Sequence, residues 1–194
     1  MEMDPFEIAL QVGNALAALD APFYLGGSLA SSIHGFPRAT VDADIVAEMK
    51  TGQGEKLARL LGDAFYADAQ AMENAVRDKR SFNVIHLATA FKVDVFVCDD
   101  SPFSRESFSR SRTQPIGKGG ACIRVATPED TVLHKLLWYR KGGETSDQQW
   151  KDLVGVLKVQ GQAIDGGYLA RWAKDLSLEG LLDKALKEAA TNFP

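Results

Sequence analysis

Two carboxylates, Asp42 and Asp44, stand two residues apart in an apolar frame of Val41, Ala43, Ile45 and Val46. Such a frame reads as a strand, so both acids leave the same face, ~7 Å apart at ~3.3 Å per residue. Carboxylates placed this way can converge on one or two hard cations, and Mg²⁺ accepts few protein carboxylates while keeping positions open for phosphate oxygens. A solvated strand face accounts for the same pair, because an Asp-x-Asp by itself is common. Upstream, Gly26-Gly27-Ser28 interrupts the short apolar run Phe23-Tyr24-Leu25 without starting a two-residue hairpin. Ser28 is expected to cap a helix that passes Ala30 and Ile33 and stops at Gly35. A strand that ends in glycines and opens a helix turns backbone N–H groups outward, which suits an anion such as phosphate. An ordinary strand-to-helix turn fits these residues too.

A third acid lies in Phe91-Lys92-Val93-Asp94-Val95-Phe96-Val97. Two-residue periodicity puts Val93, Val95 and Val97 on one face and Lys92, Asp94 and Phe96 on the other. A carboxylate in mid-strand needs a partner, since burying it unpaired is costly. A metal ion is one candidate; a salt bridge to Lys92 or Arg124 is another.

These residues need a scaffold. Asp4-Pro5 supplies a cap and a first-turn proline for an amphipathic helix through Phe6, Leu10, Val12, Leu16 and Leu19. After the Asp42 strand the pattern predicts helices around Glu55 to Leu61 and Ala69 to Arg77, then strands at Phe82 to Leu87 and Phe91 to Val97. A short turn at Thr89-Ala90 makes the last two an antiparallel hairpin. At Thr127 the character changes. Thr127-Pro128-Glu129-Asp130 combines a cap, a proline and two acids at a helix start. That helix runs to Arg140 and ends at Gly142-Gly143; another begins at Ser146 with the stripe Trp150, Leu153, Val154 and Leu157, and two more cover Tyr168 to Leu176 and Leu178 to Ala189. The expected fold class is therefore α+β, a mixed sheet flanked by helices over residues 1–126 followed by an all-helical part over 127–194.

With 194 residues, 45% of them hydrophobic, the chain can bury one good core and append a small second domain. It carries no long apolar span, signal-peptide pattern or lipidation motif, so a cytoplasmic protein with no membrane partner is expected. Cys98 and Cys122 end apolar runs, where cysteine behaves as a small hydrophobe, and no disulfide is expected. The net charge of −4 does not advertise nucleic-acid binding. Yet Arg105, Arg110, Arg112, Lys118 and Arg124 face a single acid, Glu106, between positions 105 and 124. This stretch could hold phosphates or an RNA backbone, or be a solvated loop. Gly117-Lys118-Gly119-Gly120 precedes a strand (Ala121 to Val125) and lacks the Lys-Ser/Thr ending of a P-loop, so it reads as a hairpin turn.

The order strand, Gly26-Gly27-Ser28, helix, Asp42-x-Asp44, then Asp94 on a later strand resembles the nucleotidyltransferase superfamily, which includes DNA polymerase β, aminoglycoside nucleotidyltransferases and toxin-type enzymes. Thirteen residues separate Ser28 from Asp42, toward the long end for that pattern. The segment Thr127-Pro128-Glu129-Asp130-x4-Lys135-Leu136, followed by an Asp-bearing helix, looks like the bacterial nucleotidyltransferases related to abortive-infection toxins. The resemblance implies Mg²⁺ (or Mn²⁺) on Asp42, Asp44 and Asp94, and an NTP whose phosphates are gripped near Gly26, Gly27 and Ser28. It also implies a phosphate role for Lys135 and a place in the site for Asp152, with Asp147 as the competing choice. Arg38 either contacts phosphate or pairs with Asp42. The implied activity is transfer of an NMP from an NTP to an acceptor hydroxyl on RNA, in toxin–antitoxin fashion with an antitoxin partner, or to an antibiotic or a protein side chain. A non-catalytic nucleotide-binding or sensor module is the rival from another class.

Overall fold

The computed structural model describes residues 4–116 and 120–191. The chain divides into two compact units: residues up to Leu29 with Thr40–Ala126, and Ala30–Ala39 with the residues from Thr127 onward.

In the first unit, α1 (Pro5–Ala17) is followed by β1 (Phe23–Leu25), and α2 (Gly27–His34) starts here and ends in the second unit. Then come β2 (Asp42–Ala47), α3 (Gln53–Leu61), β3 (Phe65–Tyr66), α4 (Ala69–Arg77), β4 (Ser81–His86), β5 (Phe91–Val97), α5 (Pro102–Arg110), β6 (Arg112–Ile116) and β7 (Ala121–Val125). The strands form one mixed sheet in the order β3-β4-β5-β2-β1-β7-β6. The β2–β5 and β1–β7 pairs are parallel, and the other pairs are antiparallel.

Period-two patterning decides which face of this sheet is dry. Ala43, Ile45 and Ala47 of β2 and Val93 and Val95 of β5 are wholly or almost wholly buried, as are Ile8, Val12 and Leu16 of α1, which packs on β1, β2 and β5. Burial of one such aliphatic side chain is worth about 1.5–3 kcal/mol. The opposite face carries Asp42, Asp44 and Val46 on β2 beside Lys92, Asp94 and Phe96 on β5. Its Val46 end is closed by α5: Tyr24, opposite Val46, meets the Phe108 ring edge-on at 5.3 Å, and its hydroxyl lies 3.4 Å from Ser107 Oγ.

The expected hairpin of β4 and β5 is present, with a longer connection than a two-residue turn and Ala90 at φ 56°. The basic stretch, for which a solvated loop is one reading, forms helix α5 and strand β6, and the expected strand over 121–125 is β7. Ser101 caps α5 by accepting from Ser104 N at 3.2 Å, a signal masked in the sequence by a segment rich in serine and arginine. The strands pair with Ile116 opposite Ala121; the turn residues Gly117, Lys118 and Gly119 lie outside the described residues. Both cysteines are free thiols, and burial, reinforced by Glu48, pushes Cys98 up to about 11.

The second unit holds α6 (Pro128–Lys141), α7 (Asp147–Gln160), α8 (Gly166–Asp175) and α9 (Glu179–Thr191). The start of α6 is tied down more firmly than a dipole argument requires. Thr127 Oγ1 accepts from Asp130 N at 3.2 Å and donates to Asp130 Oδ2 at 2.7 Å. The buried Asp130 also accepts from Tyr168 Oη at 2.6 Å, and Glu129 accepts from Asp165 N at 2.9 Å, so the two first-turn acids fasten α6 to the start of α8. Among the described residues no helix is long and apolar enough to cross a membrane.

Candidate functional site

The glycine turn and the second acid of the pair are joined directly. Gly26 N donates to Asp44 O at 2.8 Å, which fixes the end of β1 against β2. Gly27 has φ +55°, and a Cβ built on it would fall onto the Asp44 carboxylate. Two independent requirements therefore demand glycine at 27: a left-handed backbone and the space that the carboxylate fills. The helix begins at Gly27 itself, so Ser28 lies in its first turn and not at the cap position.

Strand pairing brings in the third acid. Asp44 is in register with Asp94 across the parallel β2–β5 pair, and Asp42 with Lys92. Neighbouring strands run about 4.8 Å apart, so three carboxylates and one ammonium occupy a two-by-two block on one sheet face. Thr40 Oγ1 donates to Asp42 Oδ1 and to Asp42 O, both at 3.1 Å, and steadies the first acid. Lys92 Nζ bonds Asp94 Oδ2 at 2.6 Å. That hydrogen bond raises the Lys92 pKa; partial desolvation opposes the rise, and the charges of Asp94, Asp42 and Asp44 add to it. The Asp94–Lys92 salt bridge anticipated from sequence is thus present, and Arg124 lies elsewhere, over the Phe108 ring with its centroid at 5.6 Å. Among the described residues no three metal-ligating side chains already converge as a formed metal site.

A different cluster occupies the second unit. Arg38 grips Asp152 with two parallel hydrogen bonds, Nε to Oδ1 and Nη2 to Oδ2, both 2.8 Å. Lys135 Nζ reaches Asp152 Oδ2 at 2.8 Å, and Gln148 Nε2 reaches Oδ1 at 2.8 Å. The side chains of Lys135 and Asp152 are 7% and 6% exposed, so this is a buried ion network. Burial alone would raise the Asp152 carboxyl, but the bonds from Arg38 and Lys135 outweigh it and hold it at about 2. The close approach of residues 35–36 to α7 is permitted by glycine: a Cβ on Gly35 would lie 2.8 Å from Val156 N, and one on Gly155 would lie 3.1 Å from the Phe36 ring.

The fold therefore gathers Asp42, Asp44, Asp94, Gly26, Gly27 and Ser28 in the first unit and Arg38, Lys135 and Asp152 in the second. Arg38 has a carboxylate partner within its own unit, Asp152. Lys92 and Thr40 went unassigned as site residues, although both stand at period two from an acid, Lys92 before Asp94 and Thr40 before Asp42. Asn83, in register with Asp94 on β4, has no such signal, because only the strand pairing brings it there.

No protein-family model matches the sequence, and no curated protein matches it. Solved structures do. The antibiotic-resistance factor ANT(2'')-Ia is similar with TM-score 0.60 at 14% identity, over 94% of this chain and 100% of that one. The same protein in complex with adenylyl-2''-tobramycin gives TM-score 0.54 at 11% identity, over 92% of this chain and 96% of that one. An antigenic nucleotidyltransferase-like protein from Paracoccidioides brasiliensis gives 0.51 at 16% identity, over 92% and 91%. At these identities the likeness speaks for architecture, and it agrees with the sheet, the glycine turn and the in-register acids: the chain has the nucleotidyltransferase fold.

Proposed function

We propose that this chain transfers an NMP from an NTP to an acceptor hydroxyl, with Asp42, Asp44 and Asp94 as its catalytic carboxylates. The observation that carries the reading is Gly27, held at positive φ with its missing Cβ filled by the Asp44 carboxylate, while Asp94 stands in register on the next strand. A glycine turn welded to an acid cluster has no evident use in a sheet that only needs to be solvated.

The residues fit a hard divalent cation. Three carboxylates share one face of two adjacent strands, and one of them, Asp94, already pairs with the Lys92 ammonium. Asp42, Asp44 and Asp94 would hold Mg²⁺ (or Mn²⁺), which when bound polarises phosphate oxygens and offsets their charge. The Gly27 N–H and the Ser28 hydroxyl donate to β- and γ-phosphate oxygens at the start of α2. An Asp94 oxygen accepts the proton of the acceptor hydroxyl. The acceptor oxygen then bonds to the α-phosphorus in line as the bond to pyrophosphate breaks, a reaction driven by positioning and charge stabilisation. Arg38 and Lys135, both held by Asp152, are assigned a role toward phosphate.

RNA is one acceptor class, and a toxin-type role with an antitoxin partner belongs to it. A small hydroxyl compound is the other, favoured by the likeness to ANT(2'')-Ia, whose complex contains an adenylylated tobramycin, and by the net charge of −4. Calorimetry with each NTP and Mg²⁺ tests the core claim: binding is expected in the wild type and lost in the Asp42→Ala, Asp44→Ala double variant, and equal binding in both overturns it. Labelled NTP offered with total RNA or with small hydroxyl compounds identifies the acceptor. Binding without any labelled product points to the sensor module instead.

A further inference from the structure

The block of four charges on β2 and β5 poses a problem that its own geometry answers. Asp44 and Asp94 are in register on adjacent strands, and like charges so placed repel. Lys92 faces Asp42 across the same pair and stands two residues before Asp94, which brings its ammonium onto Asp94 Oδ2 at 2.6 Å. We propose that Lys92 is a tethered counter-cation of the carboxylate cluster, seated where a divalent cation would otherwise contact Asp94, so that its departure accompanies metal entry and sets the metal affinity of the site. The inference rests on the reading of Asp42, Asp44 and Asp94 as metal-binding carboxylates.

Two features support displacement over a permanent pairing. The Lys92 side chain is 42% exposed, so the ammonium can swing into water on a flexible stem. Its partner Asp94 is 21% exposed, so the pair borders solvent and is not sealed in the core. Charge points the same way, because the Lys92 ammonium offsets carboxylate charge that a divalent cation would otherwise meet. Release of Lys92 leaves the full charge of three carboxylates for the metal–nucleotide.

The test is a titration of the 194-residue chain with Mn²⁺, followed by calorimetry, for wild type, Lys92→Met, Asp94→Asn and the double variant. Lys92→Met is expected to bind Mn²⁺ about fivefold more tightly, the factor that matches loss of one exposed ion pair. The gain is expected to vanish on the Asp94→Asn background, since the lysine then has no partner to leave. Unchanged or weaker binding in Lys92→Met overturns the proposal. So does a gain that persists with Asp94→Asn, which marks a general charge effect. Asp42→Asn separates the two levels of inference: if it abolishes Mn²⁺ binding while Lys92→Met changes nothing, the metal reading stands and the counter-cation falls. Absence of Mn²⁺ binding in both wild type and Lys92→Met removes both. Lys92→Gln, which keeps a donor without the charge, is expected to reproduce the gain of Lys92→Met, and its failure to do so counts against the proposal.

Discussion

The charge cluster on the sheet face and the one around Asp152 in the helical unit are built on opposite principles. On the sheet face, Asp42, Asp44 and Asp94 are half-buried, Asp94 is met by one exposed lysine, and Asp42 is steadied by a neutral hydroxyl. In the helical unit, Asp152 is buried and receives four hydrogen bonds, three of them from cations. An acid with spare oxygen lone pairs and a loose partner can exchange that partner for a ligand. An acid saturated by a bidentate arginine and a buried lysine instead fixes the shape around it.

The largest effects should come from breaking the first cluster. Asp44→Asn is expected to lower transfer activity by at least about 100-fold, the usual cost of removing one charge-stabilising group, with little change in melting temperature. Gly27→Ala should be comparably severe for activity, because displacement of the Asp44 carboxylate misplaces the reacting groups. Single-turnover rates with labelled NTP measure both, and an active Gly27→Ala enzyme would break the link between turn and acid on which the proposed function depends.

The second cluster should answer in stability. Asp152→Asn leaves Lys135 buried without its counter-charge and should cost about 3 kcal/mol in denaturant unfolding. Its pH dependence has a definite sign. The folded carboxyl is held at about 2, below the ordinary 3.8, so its contribution is complete above pH ~4 and fades as pH falls toward 2. Asp152→Asn should therefore flatten the acid limb of the stability curve in that window. The triple change Arg38→Met, Lys135→Met, Asp152→Leu sharpens the comparison. Replacing a whole buried ion network by apolar groups is often neutral for stability, so a stable but inactive triple variant would give these cations a role toward phosphate beyond architecture.

Legibility followed the same divide. Asp42, Asp44 and Asp94 could be placed on one face because strand periodicity is local and their apolar neighbours announce it. The capped starts of α1, α6 and α7 were equally readable, since Asp4, Thr127 and Ser146 sit next to the groups they cap. What depended on distant partners was not. The bond between Arg38 and Asp152 spans 114 residues of chain, and no local pattern links the two. Strand β3, only two residues long, has no period to detect, and α5 hides its apolar Phe103 and Phe108 among serines and arginines. The register of β2 on β5, which turns three separate acids and Lys92 into one block, is a property of the sheet and of no single segment.

The smallest predicted effect isolates what holds each acid. Thr40→Val removes the hydroxyl that donates to Asp42 Oδ1 at 3.1 Å, and Gln148→Leu removes the amide that donates to Asp152 Oδ1 at 2.8 Å. Each is a neutral hydrogen bond worth about 1 kcal/mol at most. Asp152 keeps three charged donors, so Gln148→Leu should leave its orientation, the melting temperature and the transfer rate nearly unchanged. Asp42 loses the donor that orients it at the start of β2, so Thr40→Val should weaken Mn²⁺ binding up to about fivefold with the melting temperature intact. Equal responses of the two variants in Mn²⁺ titration and thermal melts would mean that the sheet-face acids are held as firmly as the buried one. The distinction between an exchangeable cluster and a fixed one would then collapse, and with it the reason for placing the chemistry on the sheet.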